Sequence, residues 1–95
     1  MANKIYTLYQ MTIDGEMWET TCKPLSTFSD LADANEEMAD NMLELRKKGY
    51  EDTFGSVPDV SKYIPNDSKV VNGFRFKKIY GKIEVIYFVV ESQLH

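Results

Sequence analysis

KVVNGFRFKKIYGKIEVIYFVVES, residues 69–92, is the most strand-like stretch of this chain. It is dense in Val, Ile, Phe and Tyr, the β-branched and aromatic types that fit a pleated, half-buried surface. A turn at Tyr80-Gly81 predicts a hairpin that sets Lys77 opposite Glu84, Phe76 opposite Val85 and Phe74 opposite Tyr87. Asn72-Gly73 has equally good turn composition, so the first arm is expected to be broken or bulged there, and the register stays open between the two turns. The last arm is apolar on both sides, with Ile83, Val85, Tyr87 and Val89 on one and Ile86, Phe88 and Val90 on the other. An open antiparallel sheet normally keeps one face polar. Both faces of this arm therefore need a cover.

One cover lies upstream. In FSDLADANEEMADNMLELRKKG, residues 28–49, a rotation of 100° per residue gathers Phe28, Leu31, Ala32, Met38, Ala39, Met42 and Leu45 on one side. Thr27 and Asp30 have capping-box spacing, which predicts a helix starting near Thr27. Gly49 is a good left-handed stop, with Tyr50 folding back onto Leu45. The opposite side carries Asp30, Asp33, Glu37, Asp40 and Glu44 in steps of three and four, with Glu36 beside them. A solvated face explains acids placed early and Arg46, Lys47 and Lys48 placed late, as the helix dipole favours. The like-charge i,i+4 pairs are unfavourable by about 0.2–0.5 kcal/mol each, which admits a second reading of this ladder as a surface for a basic partner. Five acids over about 21 Å are sparser than duplex phosphates, so a nucleic-acid mimic would need acids from the following loop.

The second cover has two candidate sources. Residues 50–68, YEDTFGSVPDVSKYIPNDS, offer Phe54, Val57, Tyr63 and Ile64 as a loop that wraps over the sheet or contacts a partner. Within it, Pro58 is expected to open a short helical turn through Tyr63, and Pro65-Asn66-Asp67 reads as a turn. Alternatively, Ile86, Phe88 and Val90 form a sheet face on which a second copy packs as an isologous dimer.

At the other end of the chain, apolar residues alternate from Lys4 to Ile13, placing Ile5, Tyr9, Met11 and Ile13 on one face. Asp14-Gly15 suits a two-residue hairpin turn, which would set Met11 opposite Trp18, Tyr9 opposite Thr20 and Thr7 opposite Cys22. The second strand then runs roughly from Glu16 to Cys22 and ends at Pro24. The expected architecture is a single α+β domain over residues 1–95. It has a four-stranded, mainly antiparallel sheet in β-β-α-β-β order, with one amphipathic helix packed on one face.

Chemistry-bearing motifs are sparse. The only histidine is the terminal His95, and the lone Cys22 falls on the core side of its strand, where a small buried hydrophobe is the expected role. No Cys/His cluster, calcium loop, phosphate-binding glycine loop or nucleophile elbow occurs in the sequence. The chain is therefore expected to be neither an enzyme nor a cofactor or metal carrier. The net charge of −4 disfavours nucleic acid at long range, although residues 68–95 carry five bases against two acids. There Arg75, Lys77, Lys78 and Lys82, interleaved with Phe74, Phe76 and Tyr80, have the composition of a single-strand-binding surface. Strand parity opposes that reading, because Phe74 and Phe76 point away from Arg75 and Lys77. The start, MANKIYTLYQ, lacks a secretory pattern, and no apolar run reaches membrane-spanning length, so a cytoplasmic protein without membrane contact is expected.

The function these features predict is a small acidic binding protein acting by self-association, as a homodimer, and by contact with a protein of unidentified kind. The alternatives are an acidic nucleic-acid mimic of mobile-element or phage type, and weak single-strand binding by the C-terminal hairpin.

Overall fold

The computed structural model describes residues 3–93, so His95 lies outside the described residues. In chain order the elements are β1 (Lys4–Asp14), β2 (Glu19–Phe28), α1 (Leu31–Lys47), β3 (Tyr50–Asp52), β4 (Lys69–Lys78) and β5 (Ile83–Gln93). They form an α+β fold with one helix and one antiparallel sheet, but the sheet has five strands rather than four, in the order β2-β1-β5-β4-β3. The extra strand is short. Gly49, at φ +91, lets the chain leave the helix in the left-handed region, and Tyr50–Asp52 then runs beside Phe76–Lys78.

The C-terminal hairpin has the register expected of a turn at Tyr80-Gly81, with Phe74 opposite Tyr87, Phe76 opposite Val85 and Lys77 opposite Glu84. Asn72-Gly73 is not a turn but stays paired with Val89 and Phe88, directly after a bulge. Val71 is the unpaired residue, so Val70 faces one side of the sheet while both Val71 and Phe74 pack on the helix side. Across this bulge the Asn72 amide donates to Asn35 Oδ1 of the helix at 3.0 Å.

The first hairpin departs from its sequence reading. Asp14 pairs with Glu19, Met11 with Cys22 and Thr7 with Thr27, so the loop is Gly15–Trp18 and not a two-residue turn. Asp14 Oδ1 accepts the backbone N–H groups of Glu16 and Met17, an Asx-type lock that the longer loop satisfies. Pro24 does not end β2. It lies opposite Tyr9 beside a second bulge at Leu25, on a strand at the sheet edge, where a missing N–H leaves no ladder bond unmade. The bulge also switches faces: Cys22 packs with Met11 and Tyr9, whereas Leu25 and Phe28 pack under the helix.

Thr27 and Phe28 consequently belong to β2, and the helix begins later than its capping-box reading. Asp30 is the N-cap, its Oδ1 accepting the Ala32 N–H at 2.8 Å. The buried helix residues are Ala34, Met38, Met42 and Leu45; Ala32 and Ala39, expected in the core, are exposed. These helix residues pack on Leu8, Phe76, Val85, Tyr87 and Val89.

The opposite side of the sheet holds a second core of Met11, Ile86, Phe88, Val90 and Val60, with Tyr9, Val57, Tyr63, Ile64 and Val70 around it. Its cover is the 53–68 segment, which acts as a strap. The strap contains no helical turn from Pro58; instead Tyr63 N–H returns to the Val60 carbonyl at 2.8 Å and Ser68 N–H to the Pro65 carbonyl at 3.2 Å. Arg75 fastens its near end, donating from Nη1 to the Ser56 carbonyl at 3.0 Å while Nε and Nη2 reach both oxygens of Glu84 at 3.1 and 2.6 Å.

The far ends of three strands are joined by Glu91, which receives Lys4 Nζ at 2.9 Å and Lys69 Nζ at 3.3 Å. The hydrogen bond from Lys4 is the main cause holding the Glu91 carboxyl below its ordinary range. A depressed carboxyl pKa contributes stability above the unfolded value, about 4.3, and that stability disappears as pH falls through the folded value. Glu91→Gln is thus expected to flatten the fall in urea midpoint below about pH 4.5 relative to the parent, with the two curves running parallel above about pH 6.

Candidate functional site

Two groups of expected site residues change role once placed in the fold. Ile86, Phe88 and Val90 are wholly buried within one chain, so they are not an open dimer face. The strap covers them, and Val57, Tyr63 and Ile64 are spent on that cover as half-buried packing residues. Phe54 alone of the expected loop residues stands out, 92% exposed at φ +57, with its N–H donated to Asp52 Oδ1 at 2.7 Å.

Of the aromatics on the basic hairpin, Phe74 and Phe76 are not offered to bases, and Tyr80 alone is exposed. Phe76 is fully buried, Phe74 packs on the helix-side core, and Arg75 is committed to Glu84 and the strap. Lys77 stands opposite Glu84 in register, but the ion pair of Glu84 goes to Arg75.

Asp33, Glu36, Glu37 and Asp40 are exposed along the outer helix face, beside a shallow cleft under Phe28. Asp30 is used as the cap and Glu44 meets Lys47 at 3.4 Å. Among the described residues, none of those four carboxylates lies within 4.0 Å of a cation.

Cys22 is half-buried, and burial pushes its thiol up from the ordinary value, which lowers the thiolate fraction that a nucleophile requires. Among the described residues no group of three His, Cys, Asp or Glu side chains is arranged to hold a metal ion. None of their helices is long and apolar enough to cross a membrane.

Besides Leu43 on the helix and Phe54, four more exposed large apolar side chains gather where sequence reasoning did not look. Met17 (65% exposed) and Trp18 (92%) form the tip of the β1–β2 hairpin; Ile79 (60%) and Tyr80 (fully exposed) form the tip of the β4–β5 hairpin. Because β1 and β5 are neighbours, the two tips adjoin at one end of the sheet, joined by the Gly15 N–H donating to the Lys82 carbonyl at 2.8 Å. Gly49, at the helix end, lines an apolar cleft with Lys78, Ile79, Tyr80 and Gly81. Trp18 also holds φ +56, a left-handed conformation that is unfavourable for a residue with a Cβ by about 1–2 kcal/mol. The hairpin length that creates this tip depends on the side-chain lock at Asp14, and the Asp14-Gly15 pair masked it by suggesting a shorter turn.

Trp18 contributes little to the core despite its size. Trp18→Gly is expected to leave the unfolding free energy unchanged or raise it by up to about 1 kcal/mol, the relief at positive φ outweighing the entropy of the added glycine. Urea unfolding followed by far-ultraviolet circular dichroism measures this; a loss above about 1 kcal/mol would mean that Trp18 packs on the fold.

Compared with protein-family models, with curated proteins and with solved structures, the chain shows no match in any of the three.

Proposed function

We propose that this protein is a small non-catalytic binding module that works through protein–protein contact, self-association included, and that the paired hairpin tips are its contact surface. The observation carrying this reading is the joint exposure of Met17, Trp18, Ile79 and Tyr80 at one end of the sheet. Large apolar side chains grouped in water mark interaction sites, and Trp and Tyr lead the residues on which binding energy concentrates. The strained backbone under Trp18 supports it further, because such conformations gather at functional positions.

Site-specific photo-crosslinking tests this. A photoreactive amino acid in place of Tyr80, in cells producing the protein, is expected to yield discrete adducts that the same probe in place of Asn66, exposed at the opposite end of β4, does not. If position 80 gives no adduct, or only the diffuse labelling of the control, the tips are not a contact surface.

A second reading rests on the unpaired carboxylates of Asp33, Glu36, Glu37 and Asp40: the helix face occupies a basic groove on a nucleic-acid-handling protein. Reversing Asp33, Glu37 and Asp40 to Lys would then abolish binding to that basic partner and its salt dependence. Unchanged salt dependence in the variant removes this reading.

A further inference from the structure

We infer that the occupant of the paired hairpin tips is a second copy of this chain, docked end to end about a two-fold axis normal to the sheet. This rests on the tips being a contact surface and adds their partner and geometry. The argument is charge. Around Met17 and Trp18 stand Asp14, Glu16 and Glu19, whereas the Ile79–Tyr80 hairpin itself carries Lys77, Lys78 and Lys82, with Glu51 and Asp52 of β3 beside Lys77 only on the outer edge, away from the β1–β2 tip. The end of the molecule is thus an acidic apolar half beside a basic apolar half, fixed together by the Gly15–Lys82 hydrogen bond.

A patch of this kind has little net charge, so neither an anionic lipid surface nor a nucleic acid gains from the whole of it. A second copy does. An isologous interface sets each half against a half of the partner, and two end-on two-fold axes are available. The axis lying in the sheet, across its strands, sets acid on acid and base on base. The axis normal to the sheet sets the acidic Trp18 tip of each protomer on the basic Tyr80 tip of the other, making both crossed contacts attractive and burying the four apolar side chains of each copy together.

The four side chains supply roughly 500–700 Å² per protomer, counting about 150–250 Å² for each aromatic. That lies at the small end of specific interfaces, so a reversible dimer with a dissociation constant on the order of 10–100 μM is expected. Strands of up to 11 residues run along the longest dimension of the protomer, 48 Å, so the end-to-end dimer should be nearly twice as long.

The experiment compares the full chain with Glu16→Lys/Glu19→Lys and with Lys78→Glu/Lys82→Glu, by sedimentation equilibrium, small-angle X-ray scattering and Trp18 emission, Trp18 being the only tryptophan. The parent is expected to dimerise with a maximum dimension near ~90 Å and a blue shift of Trp18. Each charge-swapped variant alone should associate at least tenfold more weakly, and an equimolar mixture of the two should recover parent-like dimer, because both crossed contacts of the mixed dimer set a basic tip on an acidic one. Circular dichroism confirms that each variant is folded, and a swap that unfolds is replaced by its single-site versions.

Three results overturn the inference: a monomer up to about 1 mM, a dimer no longer than about 55 Å, or a dimer indifferent to both swaps and to their mixing. A Trp18 blue shift on anionic vesicles with a monomeric mass in solution also overturns it, in favour of a lipid surface. Crosslinks from position 80 to a different protein, with this chain monomeric, would sink the two-fold dimer yet leave the tips a contact surface; no crosslinks at all would sink both.

Discussion

Phe88→Ala is expected to remove about 3–5 kcal/mol of stability, a large part of the roughly 5–14 kcal/mol typical of a 95-residue domain. Phe88 has no exposed surface, stacks on Tyr9 with ring centroids 5.2 Å apart and planes within 3°, and faces Gly73 on the neighbouring strand. It sits in the core that the strap covers, not the one the helix covers. The loss therefore measures how firmly the strap is held: a loosely seated strap would already admit water around the ring, and truncation would then cost only about 1 kcal/mol. Urea titration reads the difference, since a loss of 3–5 kcal/mol moves the midpoint by roughly 1–5 M at an m-value of about 1–3 kcal/mol/M. A shift below about 0.5 M would mean that the far side of the sheet is open. Replacing the larger but exposed Trp18 is expected to move the midpoint hardly at all, which separates the residues that hold the fold from those offered for contact.

What could be read from sequence follows from which interactions are local. The β4–β5 hairpin was legible as a pair of strands, but its register was open between turns at Asn72-Gly73 and Tyr80-Gly81, and the folded sheet takes the second. The helix was legible from its period, although its start was misplaced: Thr27 and Asp30 compete for the cap, and pairing with Thr7 keeps Thr27 in the sheet. The doubly apolar β5 correctly demanded two covers, and the strap was one of two sources considered for the second. The bulge at Leu25 was beyond reach of a period-2 pattern, since it moves the later side chains to the other face, whereas Asn72-Gly73 marked the irregularity at Val71 to within a residue. The short β3 was hidden for a similar reason: three residues carry no period, and their pairing depends on where the helix delivers the chain. The exposed apolar tips proposed as a contact surface were missed because their exposure depends on a four-residue loop and on strand neighbours that only the folded sheet defines.

Gly73 shows how a residue that looks like a turn signal answers to packing instead. Strand propensity alone says that Ala should be better than Gly at an interior strand position by about 0.5–1 kcal/mol. The packing argument has the opposite sign. A Cβ on Gly73 would overlap Val57 Cγ2 of the strap and lie 3.0 Å from Phe88 Cβ and 3.1 Å from the Tyr87 carbonyl oxygen. Two of those neighbours belong to the central strand and cannot retreat, so the strap must lift. Gly73→Ala is expected to cost about 1–3 kcal/mol. Gly73→Val, with two more methyls aimed at the same place, should cost about 3 kcal/mol or more, opening residues 53–64 to protease and the underlying core to an apolar dye. Val57→Ala alone should cost about 1–2 kcal/mol through lost burial. Combined with Gly73→Ala it makes room for the new methyl, so the double variant should be more stable than the two single losses imply by about 1 kcal/mol, a coupling within the 0.5–3 kcal/mol range of touching residues. The 3.0 and 3.1 Å approaches remain in the double variant, so the rescue is partial. Strict additivity within about 0.5 kcal/mol, or a Gly73→Ala variant more stable than its parent, would mean that Val57 does not rest on this glycine and that the strap is not what closes the second core.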